Sequence, residues 1–170
     1  LSFLARADDP CSGGRQMPMH YSKKELRIVS QSSATGTQYL QAVGCALSRK
    51  FEKNKEIVYV SSGEGTTSQG DFHEALNWSS REKAPVIFHV QDNEYAISTH
   101  KSEQTAGSVF SLVSGYENLS RFQVDGTDFF ETHLAFKQAS ERARKGKGPS
   151  VIVSNVVRLM PHSSSDDQRK

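Results

Sequence analysis

Two short apolar runs separated by one helix-like span organise the middle of the chain. Residues 57–60, Ile-Val-Tyr-Val, stop at Gly63-Glu64-Gly65, and residues 86–90 stop at Asp92 and Asn93. Between them Phe72, Ala75 and Leu76 recur at helical spacing, which predicts a helix over residues 71–83 that begins near Ser68 or Asp71. The order is strand, acidic turn, helix, strand. Further strands are expected over residues 121–125 and 150–157, where Val151, Ile152, Val153, Val156 and Val157 argue for burial on both faces. A helix over residues 33–51 follows from Tyr39, Leu40, Val43 and Leu47, and one ending near Lys145 starts from Asp128 as its cap. Residues 1–5 read as the end of a helix, 15–21 as an ordered loop, and 101–104 as a solvated surface loop. Trp78 is expected in the core with Phe72, Ala75 and Leu76.

That alternation reads as α/β, a parallel sheet flanked by helices, and 170 residues allow one domain. Lys plus Arg number 21 against 19 Asp plus Glu, a net charge of +2 that gives no reason to propose nucleic acid or a membrane surface as partner. No apolar stretch approaches the roughly 18 residues that span a bilayer. Cys11 and Cys45 have no metal-type spacing, which favours a reducing compartment over a disulfide framework. Without an initiator Met and with a polar run at residues 166–170, the chain is expected to be a piece of a longer protein, incomplete at both ends. Any targeting segment would lie upstream.

Candidate chemistry gathers where strands end. In a parallel α/β sheet the carboxyl ends of the strands form the ligand crevice, and Glu64 and Asn93 both fall there, 29 residues apart. A carboxylate, an amide oxygen and a main-chain carbonyl suit a hard divalent ion whose shell is completed by phosphate and water. Glycines on both sides of Glu64 permit a tight turn and the approach of a bulky anion. The helix that follows would direct its N-terminal amides at the same crevice. Taken alone, the Ser and Thr residues at 32–38 read as a helix cap, His73 as a packing residue, and the basic residues at 142–147 as complements to a helix C-terminus.

The segments GEGTTSQGDFHEALNW (63–78) and NEYAIS (93–98), with GGRQMPMHYS (13–22), SQSSATGTQYLQAVGCAL (30–47) and RLMPHSSSDD (158–167), resemble the alpha part of the dehydrogenase component of 2-oxo acid dehydrogenase complexes. The resemblance implies a thiamine diphosphate-binding fold and its diphosphate-binding domain, with Mg²⁺ held by Glu64, Asn93 and Tyr95. It implies cofactor contacts at Gly63, Glu64, Gly65, Thr66, Asn93, Tyr95, Ser33, Thr35, Arg158 and His162, and a monovalent cation such as K⁺ near residues 32–38. His162, otherwise as easily a solvent-facing loop residue, becomes the catalytic acid/base candidate, on a loop ordered by Arg158 and Asp166. Ser163 matches the position that mitochondrial relatives phosphorylate. The implied partners are a beta subunit or fused beta half that completes the site, and a lipoyl-bearing acyltransferase. Glu64 and the RQMPMHY segment lean toward a branched-chain 2-oxo acid as substrate, in the cytoplasm of a bacterium or the matrix of a mitochondrion.

The sequence departs from the family pattern in three places. Asp92-Asn93-Glu94-Tyr95 stands where many members have Asn-Asn-Gly-Tyr, so Glu94 occupies a place where Gly tolerates unusual dihedrals. Pro161 replaces what is often a second His, and Gln91 stands where some relatives carry an Arg. A pyruvate-type enzyme, a transketolase-like ketol transfer and a noncatalytic assembly module of the same fold are the rival readings.

Overall fold

The computed structural model describes residues 1–17, 19–163 and 166; Pro18, Ser164, Ser165, Asp167 and the remainder of the closing run lie outside the described residues. After a 3-10 turn at Ser2–Leu4, where a helix end was expected, the chain forms α1 (Gln38–Phe51), β1 (Val58–Gly63), α2 (Gly70–Glu82) and β2 (Val86–Asp92). A two-residue hairpin follows, β3 (Tyr95–Ala96) and β4 (Thr99–His100), then α3 (Val109–Leu112), β5 (Ser120–Asp125), α4 (Phe129–Arg144) and β6 (Ser150–Asn155). The main sheet is parallel throughout, in the order β1-β2-β6-β5.

Alternation along the strands divides the core in two. Val60, Phe88, Val90, Val151 and Val153 face one side, where α1 and α2 bring Tyr39, Val43, Phe72 and Leu76 onto them. Ile87, Ile152 and Val124 face the other, covered by α4 through Ala135 and Ala139. Small side chains on α4 let its backbone lie close to the sheet. On α2 the buried set is Phe72, Ala75, Leu76, Ser79 and Ser80. Trp78 therefore lies off that stripe and is 37% exposed, which corrects its expected place in the core.

Two other boundaries differ from the sequence reading. α1 starts at Gln38, and the preceding Thr37 makes no side-chain cap; its hydroxyl donates back to the Ala34 carbonyl at 2.9 Å. β6 ends at Asn155, leaving Val157 exposed, because the β-branched run outlasts the partners available on β2 and β5. Asp128 caps α4 as expected, accepting from the amides of Phe130 and Glu131 at 2.8 and 3.1 Å.

One polar group interrupts the second core. His89 is buried, its two ring nitrogens lying 2.9 Å from the Tyr59 and Ser154 hydroxyls, with the edge of Phe136 against its ring. Burial holds the imidazole below its ordinary value of 6.5. The unfolded chain takes up this proton near pH 6.5 and the folded chain only at lower pH. Stability from His89 is thus present above pH 6.5 and is lost as pH falls through that value. Denaturant unfolding of the full-length protein from about pH 7.5 to about pH 5 should show a decline of up to about 1 kcal/mol per pH unit from this group, flattened in His89→Gln.

Candidate functional site

The register of the sheet brings four chain reversals to one edge, since Gly63 pairs with Gln91, Asp92 with Asn155, and Asp125 with Asn155. After Gly63 the chain turns into a 3-10 segment, Glu64–Ser68, braced by the Thr67 hydroxyl donating to the Glu64 carbonyl at 2.7 Å. This places the Glu64 carboxylate inside, 1% exposed. Its Oε2 accepts from the Asn93 amide at 3.2 Å, whereas its Oε1 is buried with no hydrogen-bond partner. Burial pushes the carboxyl above the usual carboxylate range, its own backbone amide and that of Asn93 pull it back, the charge of Asp92 raises it again, and Lys101 lowers it.

The turn after β2 is built from side chains that bind their own backbone. Asp92 Oδ1 accepts from the Glu94 amide, and Asn93 Oδ1 from the Tyr95 amide, both at 3.0 Å. Glu94 takes a left-handed φ of +72° and Ile97 one of +55°, unusual conformations for residues with a Cβ. The expected glycine-like dihedral at position 94 is therefore present. Lys101 closes the hairpin through its amide to the Glu94 carbonyl at 2.8 Å. Its ammonium lies 3.3 Å from Asp92 Oδ2 and 3.0 Å from Glu94 Oε1. Of residues 101–104, expected as a solvated loop, Ser102 and Glu103 are exposed, whereas Lys101, at the head of a short 3-10 turn, reaches back to the site. The space beside Gly65 goes to the hairpin rather than to an anion, because a Cβ there would meet Ala96 Cβ at 2.6 Å.

A third element arrives from beyond β6. The Arg158 guanidinium donates to the Ile97 carbonyl at 2.6 Å, pairs with Asp166 Oδ2 at 3.3 Å and lies 5.1 Å from the Tyr95 ring centroid. Asp166 also accepts from the Ser98 hydroxyl at 2.8 Å and the His162 amide at 2.9 Å. That amide, then the Ser98 hydroxyl and Arg158, hold the Asp166 carboxyl below its ordinary range.

The candidate residues thus divide. Gly63, Glu64, Gly65 and Thr66 form one turn, Asn93 and Tyr95 the next, and Arg158 ties the loop carrying His162 to Tyr95. The His162 side chain is exposed. Ser33 and Thr35 are not bonded to this group: both are exposed, and the Ser33 hydroxyl lies 3.1 Å from His20 Nε2. Their segment comes close to the end of the Glu64 turn at Gly36, where an added Cβ would meet Gln69 Cβ at 2.8 Å. Thr67, Ser98 and Lys101 were missed; a Thr in a Gly-Glu-Gly-Thr-Thr turn was the one local signal available.

Among the described residues no group of three or more His, Cys, Asp or Glu is placed to hold a metal. The donor set nevertheless fits a hard cation. One buried carboxylate oxygen is unpartnered, and the Asn93 amide oxygen keeps a lone pair beyond its bond to Tyr95.

The whole chain, residues 1–170, matches the family described as the dehydrogenase E1 component. The chain belongs to that family. Among its relatives, the 2-oxoisovalerate dehydrogenase subunit alpha of Bacillus subtilis is 45% identical over 98% of this chain and 51% of its own length. The corresponding subunit of Pseudomonas aeruginosa is 38% identical over 99% of this chain and 41% of its own length. The mitochondrial subunit of Mus musculus is 40% identical over 91% and 35%. The chain therefore spans about half, or less, of the length of the curated relatives it matches. A solved structure from Mycobacterium smegmatis, described as that of a thiamin diphosphate-dependent enzyme, shares the fold with a TM-score of 0.59 at 21% identity, over 78% of this chain and 24% of that one.

If Asp166 anchors the loop, its removal should loosen residues 158–163 before anything else. In the cofactor-free full-length protein, Asp166→Ala should speed tryptic cleavage after Arg158 by about tenfold without moving the global unfolding midpoint. Because the carboxyl is held low, this anchor is intact at neutral pH and weakens only as pH falls through the carboxylate range.

Proposed function

We propose that this chain is the diphosphate- and metal-binding domain of the alpha portion of a 2-oxo acid dehydrogenase, and that the complete protein decarboxylates a branched-chain 2-oxo acid oxidatively. The observation that carries the reading is Glu64: a carboxylate buried at the carboxyl edge of a parallel sheet, one oxygen bonded to the Asn93 amide and the other unpartnered. An ionised group so placed calls for a cation. Glu64, the Asn93 amide oxygen and the Tyr95 carbonyl would hold Mg²⁺, and Gly63, Thr66 and the start of α2 would border the diphosphate of thiamine diphosphate. When bound, that cofactor supplies the electron sink that decarboxylation requires.

The other residues act around it. Arg158 and Asp166 hold the loop that presents His162, an imidazole able to carry protons near neutral pH to and from substrate or the incoming lipoyl group. Ser33 and Thr35 would reach a cofactor or a K⁺ ion only from the neighbouring segment at residues 32–38. A beta subunit, or a fused beta half, completes the site, and the acyl group passes to a lipoyl-bearing acyltransferase. The relatives named 2-oxoisovalerate dehydrogenase support the branched-chain assignment, and they come from bacteria and from mitochondria. The compartment would accordingly be the bacterial cytoplasm or the mitochondrial matrix. Among the described residues, no helix is long and apolar enough to cross a membrane.

The reading is tested by calorimetric titration of thiamine diphosphate with Mg²⁺ into the complete alpha and beta assembly. Saturable binding is expected, weakened at least about 100-fold in Glu64→Ala and Asn93→Ala. Absence of binding by the wild type would replace this proposal with a noncatalytic assembly module. Turnover should favour 2-oxoisovalerate over pyruvate; activity confined to sugar phosphates would instead indicate ketol transfer.

A further inference from the structure

The Asn93 turn is poorly suited to holding its own shape. Glu94 in this turn and Ile97 in the hairpin turn that follows both sit in the left-handed region, a conformation disfavoured for any residue with a Cβ. The Asn93 turn also carries two carboxylates beside the one that faces the site. Asp92 is buried, with its carbonyl accepting from the Val156 amide at 2.9 Å, and Glu94 is exposed. Either could compete for a cation meant for Glu64, and both would repel a diphosphate.

Lys101 meets all of these demands at once. Its amide fixes the Glu94 carbonyl, and its ammonium spans Asp92 and Glu94, with the side chain 29% exposed and that of Asp92 6% exposed. We propose that Lys101 is a positioning residue, which pins the Asp92–Asn93–Glu94 turn against Glu64 and occupies the two flanking carboxylates so that Glu64 is the one carboxylate of this turn pair left to face the metal. Its binding consequence rests on the function proposed above; its structural consequence does not.

Two measurements on the full-length protein, with its beta part, separate these. Hydrogen exchange of the cofactor-free protein reads the clamp itself: amides of residues 94–99 should exchange about tenfold faster in Lys101→Met and near the wild-type rate in Lys101→Arg. Titration with Mg²⁺ and thiamine diphosphate reads the charge pairing: Lys101→Met should bind about tenfold more weakly, and adding Asp92→Asn, which keeps the acceptor for the Glu94 amide but removes the charge, should recover most of the loss. Wild-type protection in Lys101→Met would overturn the proposal, as would an affinity loss identical with and without Asp92→Asn, since that would make Lys101 a packing element only. If the wild type binds no cofactor, the functional reading falls and the exchange rates alone decide the clamp.

Discussion

An acidic side chain with almost no access to water is the condition to which the rest of the site answers. Removing an ionised carboxylate from water costs several kcal/mol unless other groups take over its solvation. At Glu64 backbone amides do so only in part, and Oε1 is left without a hydrogen-bond partner. The sheet makes the situation harder, because parallel pairing of β1 with β2 sets the turn carrying Glu64 beside the one carrying Asp92, a second buried carboxylate. Negative charge is thus concentrated at this edge by strand register, and the neighbouring turns and loop are arranged to contain it.

Containment uses three parts of the chain that are far apart in sequence. The turn after β1 provides Glu64, the hairpin after β2 provides amides and Lys101, and the loop after β6 returns to grip the hairpin through Arg158 and Asp166. The hairpin is the common member. Its Ala96 lies against Gly65, its Ile97 carbonyl receives Arg158, and Ser98 binds Asp166. A displacement of this short ribbon would be felt at both the carboxylate and the loop carrying His162.

What could be read beforehand was whatever depends on neighbours in sequence. Apolar runs ending in Gly-Glu-Gly and in Asp-Asn located β1, β2 and the pairing of Glu64 with Asn93, and Asp128 announced α4. Elements whose fate depends on distant partners were less visible. Trp78 has a core residue's composition but the wrong helical phase, and Val157 has a strand residue's chemistry but no strand beside it. Lys101 sits in a polar stretch with no period, and only the folding back of the hairpin brings it to Asp92. Ser33 and Thr35 resembled ligands by motif while the chain turns them toward His20 or solvent.

The strand order carries a consequence for how the protein is made. β6, the last strand of the chain, lies inside the sheet between β2 and β5. During synthesis β1, α2 and β2 can close on one another as soon as they are complete, whereas among the described strands β5 pairs only with β6, which follows it. Its partner arrives only with residues 150–155, and β6 then closes on β2 and on β5 together. Until β6 is added, β2 and β5 lack the neighbour they share, and a strand edge left without its neighbour in a nascent chain is open to wrong association.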